Sequence, residues 1–551
     1  MALSKEAYQA LEDIVGTENI SDDPALCDSY AFQWLAETAR PDQSHFMPRP
    51  VAALMPGSVE EIQAIVKTCN RYRIKVKPYS TGWYFYGAPQ KDGDDTVQLD
   101  LRRLNRILDI DERNMYAVIE PYVIAAQLQA ELIKVGLNCN IIGAGASTSI
   151  LASATSYSGG GPGSIWMGHN SESLLALEWV TPRGDILRTG SLGSGAGWFC
   201  GEGPGPGLRG ICRGARGARG GMGVYTKCAI KLTHWPGPTQ FNIKGTIPAY
   251  RTPVPDNFRV YSLAFPSLAA FAKTYYKIYD NDLGYIIHSQ FNMLGGDLGP
   301  AFWTMYNDPT KTLSDIEEIA QKPEVKKLTE EIRRAFQIIL AGRSLRDIEF
   351  QDKVLDQILA ETGGWKVSRM TEPDLAEFTY LYLSRLGHKH LNMVYAGGYA
   401  GTWNQPGTPD YAVQYRPLAE EQLKMEQQSG LLVQAGGDSM MGPGSSLGGG
   451  GNANFEQFVS YDPSDKDSVN AIIHCMHDSM KVATEHGFPP GHVVPYVQIG
   501  MTDEQLHQQF AKANQPLVYH LQRKIKELLD PNDIGDRLYS WLPESKDSHP
   551  G

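Results

Sequence analysis

The sequence predicts an α+β protein of more than one domain, on three observations. Up to about residue 236, short strands and helices alternate with few long parallel runs. Near residue 237 the composition changes: Pro236, Pro238, Pro248, Pro253 and Pro255 fall close together, and longer helical stretches follow. The chain has 551 residues, 42% hydrophobic and 20% charged, which is the length and balance of a globular protein with more than one large core. Domain boundaries are therefore expected at 1–236 and 237–485, with a final segment at 486–551.

The elements read in order as follows. In "PGSVEEIQAIVKTCNRYRIKV", Ser58 serves as N-cap with Glu61 three residues on, and Val59, Ile62, Ile65, Val66 and Cys69 recur at helical spacing. "RIKVKPYSTG" alternates as a strand and runs into a glycine turn, and "DTVQLDL" is the next strand. "NMYAVIEPYV" places Met115, Ala117 and Ile119 on one side of a strand, and "AAQLQAELIKVG" is a helix carrying Leu128, Leu132 and Val135 that stops at Gly136. "LALEWVTPRGDILRTG" is a hairpin turning at Pro182–Asp185, and "GVYTKCAIKLTHW" is a further strand. Beyond 237, "TLSDIEEIAQKPEVKKLTEEIRRAFQIIL" reads as long helix. "LGHKHLNMVYAGGYAGTWNQ" and "GDSMMGPGSSLGGGGNANFEQFVSYDPSDKD" interrupt it with strand-like and Gly-rich text. No fixed-period repeat occurs.

Three stretches carry more glycine or hydroxyl than an element needs. "KPYSTGWYFYGAP" at 77–89 sets two glycines and five large rings at the end of a strand, an arrangement that brings bare backbone N–H groups to an anion and walls it from water. "GAGASTSILASATSYSGGGPGS" at 143–164 offers hydroxyls and free amides to a polar ligand. In the Gly-dense stretch 193–223 a regular helix is not expected, and Arg209, Arg213, Arg216 and Arg219 form either a solvated charge run or an anion clamp.

The net charge of −12 excludes a chain that coats nucleic acid or an anionic membrane. No run approaches the roughly 18 apolar residues of a membrane span, and "MALSKEAYQALEDIVG" has neither the basic nor the apolar region of a signal peptide. The seven cysteines are scattered and never in C-x-x-C spacing, so a reducing, cytoplasmic setting without an iron–sulfur cluster is expected.

Taken in order, "MPGSVEEIQAIVKTCNRYRIKVKPYSTG", "VQLDLRRLNRILDID", "YAVIEPYV", "STSILASAT", "LEWVTPRGDILRTG", "GGMGVYTKCAIKL" and "LLDPNDIGDR" resemble the vanillyl-alcohol oxidase and p-cresol methylhydroxylase type of flavoprotein, over nearly the whole chain. The resemblance implies a two-subdomain FAD-binding domain, an α+β cap over the flavin ring, and a C-terminal segment that returns to the FAD domain. It places the FAD pyrophosphate on the loop Tyr79, Ser80, Thr81, Gly82, Trp83 and Tyr84. Ser147, Thr148, Ser149 and Ser153 fall beside the flavin ring, the backbone of Gly223 and Val224 at the adenine end, and Arg537 within reach of the flavin. Turn amides would hold the diphosphate without a Rossmann fingerprint.

Covalent members of the family bond the flavin through a side chain where Ser80 to Trp83 or Asn454 stand here, so noncovalent FAD is expected. The related 2-hydroxy-acid dehydrogenases use paired metal-binding histidines where this chain has Leu447 and Asn454, so no metal is expected. His474, Cys475 and His477 are not expected to make a metal site either, since their helix face turns His474 outward. Tyr86 matches the loop tyrosine of the alkylphenol-oxidising members, and His492 stands near where their arginine would be. His390 and Tyr399, in the cap text, complete the set proposed to take a proton or anchor substrate; ordinary cap-sheet polar residues are the other reading of the histidine. The implied activity is hydride transfer from a phenolic or benzylic-type carbon to flavin N5. A metal-independent alcohol or 2-hydroxy-acid dehydrogenase and a non-redox flavin adduct-forming synthase are the alternatives. The expected partners are a small-molecule substrate, an electron-accepting subunit in one version, and further copies of the chain in a homo-oligomer.

Overall fold

The computed structural model describes residues 3–82, 87–90, 95–142, 145–156, 161, 163–205, 207–212, 221–245, 251–288, 310, 315, 318, 321–386, 398–431, 453–487 and 516–536. The first sheet orders four strands β1 (Ile20–Ser21), β2 (Ala52–Leu54), β4 (Thr96–Asp100) and β3 (Lys75–Tyr79). β2 and β3 both run parallel to β4, which is buried throughout. Between β2 and β3 lies the helix Val59–Tyr72. Ser58 Oγ accepts from the Glu61 amide at 3.1 Å and Glu61 Oε2 accepts from the Gly57 amide at 2.7 Å, a reciprocal cap that fixes where the helix starts. Its Ile62, Ile65, Val66 and Cys69 face pack against Leu54, Val97 and Leu99 of the sheet.

The second sheet is antiparallel: β5 (Ile107–Asp111), β6 (Tyr116–Ile119), β10 (Val224–Lys231), β8 (Leu174–Val180) and β9 (Ile186–Thr189), in that spatial order. The β8–β9 hairpin turns where the sequence places it: Val180 pairs Ile186, and Gly184 takes φ +83° within the turn. The helix Ala125–Lys134 buries Leu128 and Leu132 in the core of this sheet, and a short ladder, β7 (Leu137–Asn138) with β11 (Thr233–His234), lies beside it.

The second half is built on a sheet ordered β13 (Ile286–His288), β14 (Ala335–Ala341), β12 (Phe258–Ala264), β15 (Trp365–Lys366), with the helices Leu268–Asp280 and Leu345–Thr362 contributing to its core. Here one expectation is corrected. "AFQIIL" does not continue the helix before it: the helix Pro323–Glu331 ends, and Ala335–Ala341 is an interior strand paired on both sides. A continuous apolar run buried on both faces has no helical or strand period of its own, and the two neighbouring strands decide it. A further ladder joins β16 (Gly398–Gly407) to β17 (Ala453–Tyr461), packed with the helix Lys466–Glu485. A second correction falls in the Gly-dense stretch: Arg209–Cys212 makes one helical turn, closed by the burial of Cys212, where no regular helix is expected.

Residues 530–536 add to the free edge of the first sheet. Gly535 bridges Val76 in parallel, the Val76 amide donates to Ile534 O at 2.7 Å, and the Asp536 amide donates to Val76 O at 3.0 Å. The segment is folded around Asp530, whose carboxylate accepts from the amides of Ile534 and Gly535, each at 2.8 Å, and from Lys526 Nζ. Lys77 Nζ meets Asp536 Oδ2 at 3.1 Å, with both side chains buried. No described helix is long and apolar enough to cross a membrane.

Candidate cofactor and substrate site

Strand β3 ends at Tyr79, held in register opposite Asp100. The Tyr79 ring stands edge-on to Tyr30 at 5.2 Å between centroids, and Tyr30 donates to Asp100 Oδ2 at 2.8 Å. Asp100 is buried and also accepts from the Arg102 amide and guanidinium. Burial, followed by the Asp100 charge, raises the Tyr79 phenol above its ordinary range, so it stays protonated. The chain then turns through Ser80, Thr81 and Gly82. Gly82 has φ +65°, and a Cβ there would lie 1.9 Å from Tyr79 Oη, so the ring and the turn exclude any larger residue.

The second small-residue segment docks against the strand before the helix Ala125–Lys134. Ser149 bridges Ile124, and the amides of Ala125 and Ile150 bond across to Thr148 O and Val123 O. Its hydroxyls are directed inward. Thr148 Oγ1 donates to Gly145 O at 2.9 Å, Ser153 Oγ donates to Ser149 O at 2.8 Å, and Ser149 Oγ donates to Pro121 O at 2.6 Å while accepting from the Ala152 amide. Ser147 alone of the four is exposed. These hydroxyls therefore shape the turn, which leaves its backbone as the surface offered to a ligand. Thr81 Oγ1 accepts from the Ser149 amide at 3.4 Å, so the two loops that the sequence singles out separately meet.

Gly223 and Val224 open β10 opposite Val180. Gly223 takes φ +100°, and a Cβ on it would be 2.3 Å from Val180 O. Trp179 Nε1 donates to Met222 O at 2.6 Å and locks the approach.

Other polar groups of this region escape the sequence reading. Asn140 Nδ2 donates to Gly168 O at 3.0 Å, but among the described residues Asn140 Oδ1, His169 Nδ1, Asn170 Nδ2 and Ser173 Oγ are buried without a hydrogen-bond partner. Burial pulls the His169 pKa down to about 4, so it is neutral near pH 7. A Cβ on Gly161 would stand 1.9 Å from Ile141 O, which keeps that backbone bare. The spacing "MGHNSES" is the only sequence signal for this group, and it has no motif of its own. Arg209 pairs with Glu202 at 3.1 Å and donates to Leu174 O, which favours a structural arginine at that position. His474 and His477 are both exposed. Trp83, Tyr84, Tyr86, His390, His492 and Arg537 lie outside the described residues, as do Arg213, Arg216 and Arg219; for Tyr399 the strand is described and the side chain is not.

The fold has a close counterpart among solved structures. p-Cresol methylhydroxylase with substrate bound superposes with a TM-score of 0.70 at 17% identity, covering 98% of this chain and 96% of that one. 4-Ethylphenol oxidase from Gulosibacter chungangensis gives 0.68 at 17% identity, covering 98% of each. The FAD binding domain family matches residues 50–190, the stretch that holds both loops, the docked helix and the hairpin. Residues 50–190 are thus an FAD binding domain, and the fold is that of p-cresol methylhydroxylase. Among curated relatives, 1'-carboxy-chondrochloren decarboxylase of Chondromyces crocatus is 31% identical over 192 residues, 34% of this chain and 33% of that protein. The flavoprotein subunit of 4-cresol dehydrogenase (hydroxylating) of Pseudomonas putida is 31% identical over 145 residues, 26% of this chain and 28% of that one. These matches span about a third of each relative's own length. For a flavoprotein of this type the local chemistry fits. Three positions where a Cβ would strike a backbone oxygen or a fixed ring leave bare backbone, and four buried polar atoms await a partner.

Proposed function

We propose that this flavoprotein is an FAD-dependent oxidoreductase, a dehydrogenase or oxidase whose substrate carbon is phenolic or benzylic in type. The observation that carries the reading is the joining of the 79–82 and 145–149 turns through Thr81 and Ser149 within the FAD binding domain match. Bound FAD would supply the hydride acceptor at flavin N5. The chain's part is to hold the diphosphate on the backbone of Ser80 to Gly82, with Ser147 to Ser149 beside the ring and Gly223 and Val224 at the far end. Neutral His169 and the amides of Asn140 and Asn170 are added here as ring-side hydrogen-bonding groups. Tyr86, His390, Tyr399 and His492 are assigned, from the sequence, to orienting the substrate and accepting its proton. Ser80 to Trp83 and Asn454 offer no side chain of the kind that tethers the cofactor, so the FAD is assigned as noncovalent.

The same reading divides the chain into an FAD-binding domain at 1–236, a cap at 237–485 and a returning segment at 486–551. It takes the active form as a cytoplasmic homo-oligomer, with oxygen or an electron-accepting subunit re-oxidising the flavin.

The test is an absorbance spectrum before and after acid precipitation, followed by anaerobic addition of 4-alkylphenols, benzylic alcohols and hydroxy acids. Yellow colour that leaves with the acid supernatant and bleaches with the phenols or benzylic alcohols supports the proposal. Bleaching by hydroxy acids alone moves it to an alcohol or hydroxy-acid dehydrogenase. Bound FAD that no substrate bleaches moves it to an adduct-forming synthase, and a protein that binds no FAD overturns it.

A further inference from the structure

Arg385 follows the helix Pro373–Leu383, takes φ +56° and is only 2% exposed. None of its three guanidinium nitrogens makes a hydrogen bond of normal geometry, and no carboxylate of the described residues forms an ion pair with it. Its neighbour is the Tyr382 ring, with the centroid 5.2 Å from the guanidinium carbon. Burial lowers its pKa, opposed by the Tyr382 hydroxyl, but an arginine does not give up its proton in a protein. A buried guanidinium without a counter-charge is unfavourable. Such a group persists where something else supplies the balancing charge.

Arg385 lines a partly open cavity of about 30 Å³ between residues of the first and second halves of the chain, roughly twice the ~10–15 Å³ that one water requires. Gln129 and Asn138 face it from the first half and Tyr285 and Ser384 from the second. The seam itself is hydrogen-bonded: Gln129 Nε2 donates to Ser384 O at 3.1 Å, and Asn138 Nδ2 donates to Tyr285 Oη at 3.4 Å. Ser384 Oγ is buried with no partner and stands ready as a second donor beside Arg385. Cys139, Ile141 and Met167 also line the cavity.

We propose that this seam cavity is a carboxylate-binding pocket in which Arg385 grips a single carboxylate on the substrate. One fixed positive charge matches one carboxylate; a phosphate dianion would leave net negative charge buried, and the cavity lining has no lysine to offset it. The planar fork of Arg385 bonds both oxygens of a carboxylate side by side, with the Tyr382 ring limiting its swing. The assignment of the carboxylate to the substrate rests on the proposed oxidoreductase reading, since Cys139 and Ile141 of the cavity lining flank Asn140, given there to the flavin ring.

Equilibrium dialysis of the FAD-loaded protein against radiolabelled acetate and benzoate, each paired with its neutral amide, tests the pocket directly. At least one acid should bind roughly 10- to 100-fold tighter than its amide, the range of a hydrogen bond to a charged group. Arg385→Met should collapse that preference to about threefold or less, and Arg385→Lys should restore part of it, with FAD absorbance and melting temperature reporting a folded protein. Should the variants fail to fold, the thermal shift of the unaltered protein by acid against amide decides. No preference for the acids, or a preference that Arg385→Met leaves intact, overturns the pocket. The two readings fail separately under anaerobic conditions. Arg385-dependent carboxylate binding with a flavin that neither phenols, benzylic alcohols nor hydroxy acids bleach keeps the pocket and removes the oxidoreductase. Phenol-driven bleaching without any carboxylate preference does the reverse.

Discussion

The loops around Thr81 and Ser149 and the seam around Arg385 treat polar groups in opposite ways. In the first, Thr148, Ser149 and Ser153 each donate to a backbone carbonyl at 2.9 Å or less, so side chains that look like ligand donors are spent on shape. In the second, a guanidinium is buried with no hydrogen bond of normal geometry and no carboxylate partner among the described residues. The hydroxyls of the first region are satisfied by backbone carbonyls, whereas the guanidinium of the second has not been satisfied by the described residues. On this criterion Asn140, His169, Asn170 and Ser173 belong with Arg385.

The comparison breaks most visibly at a fully satisfied site. Asp530→Ala should cost about 3–5 kcal/mol, because it strands the buried Lys526 charge and two amides; urea unfolding measures it, and a loss under about 1 kcal/mol would show that mutual satisfaction matters little here.

His169 sharpens the contrast through pH. Its pKa falls from the ordinary ~6.5 to about 4 on folding, so its contribution is complete above about pH 6.5 and is lost as pH drops through about 4. The loss should be on the order of 2–3 kcal/mol, and His169→Gln should flatten the stability profile in that window.

Gly223→Ala tests bare backbone. At φ +100° with Val180 O 2.3 Å from the new Cβ, it should lower stability by about 1–3 kcal/mol and weaken FAD retention on a desalting column. Arg385→Met should do the opposite of all these in ligand-free protein, raising stability by about 1 kcal/mol by removing an uncompensated charge. A fall in melting temperature of the soluble variant would mean the guanidinium is already balanced.

Much of the first half was legible as text. Ser58 with Glu61, the Pro182–Asp185 turn and the stop at Gly136 are local signals, and local bonds realise them. "AFQIIL" was illegible because its partners, β12 and β13, lie about 50 residues or more away in sequence. The site divides along the same line. Gly82 and Gly223 are legible as turn glycines, at positions where a Cβ would strike Tyr79 Oη and Val180 O. Nothing around "YLSRLG" marks Arg385 as buried: an arginine just past a helix end reads as a solvated cap, and its environment is assembled by Gln129 and Asn138 from the far side of the chain. Lys77 left a faint trace, a charge on the buried side of an alternating strand, but its partner Asp536 lies more than 450 residues on.

The strip at 530–536 that closes the edge of β3 also sets an order of events. Val76 waits for Gly535, so the strand leading into the Tyr79 turn gains this neighbour only once a segment more than 450 residues further along has been made. Until then the edge of β3 is open. A chain stopped before Gly535 would make the helix Val59–Tyr72 and the β8–β9 hairpin yet leave the Tyr79 turn on an unpaired strand edge.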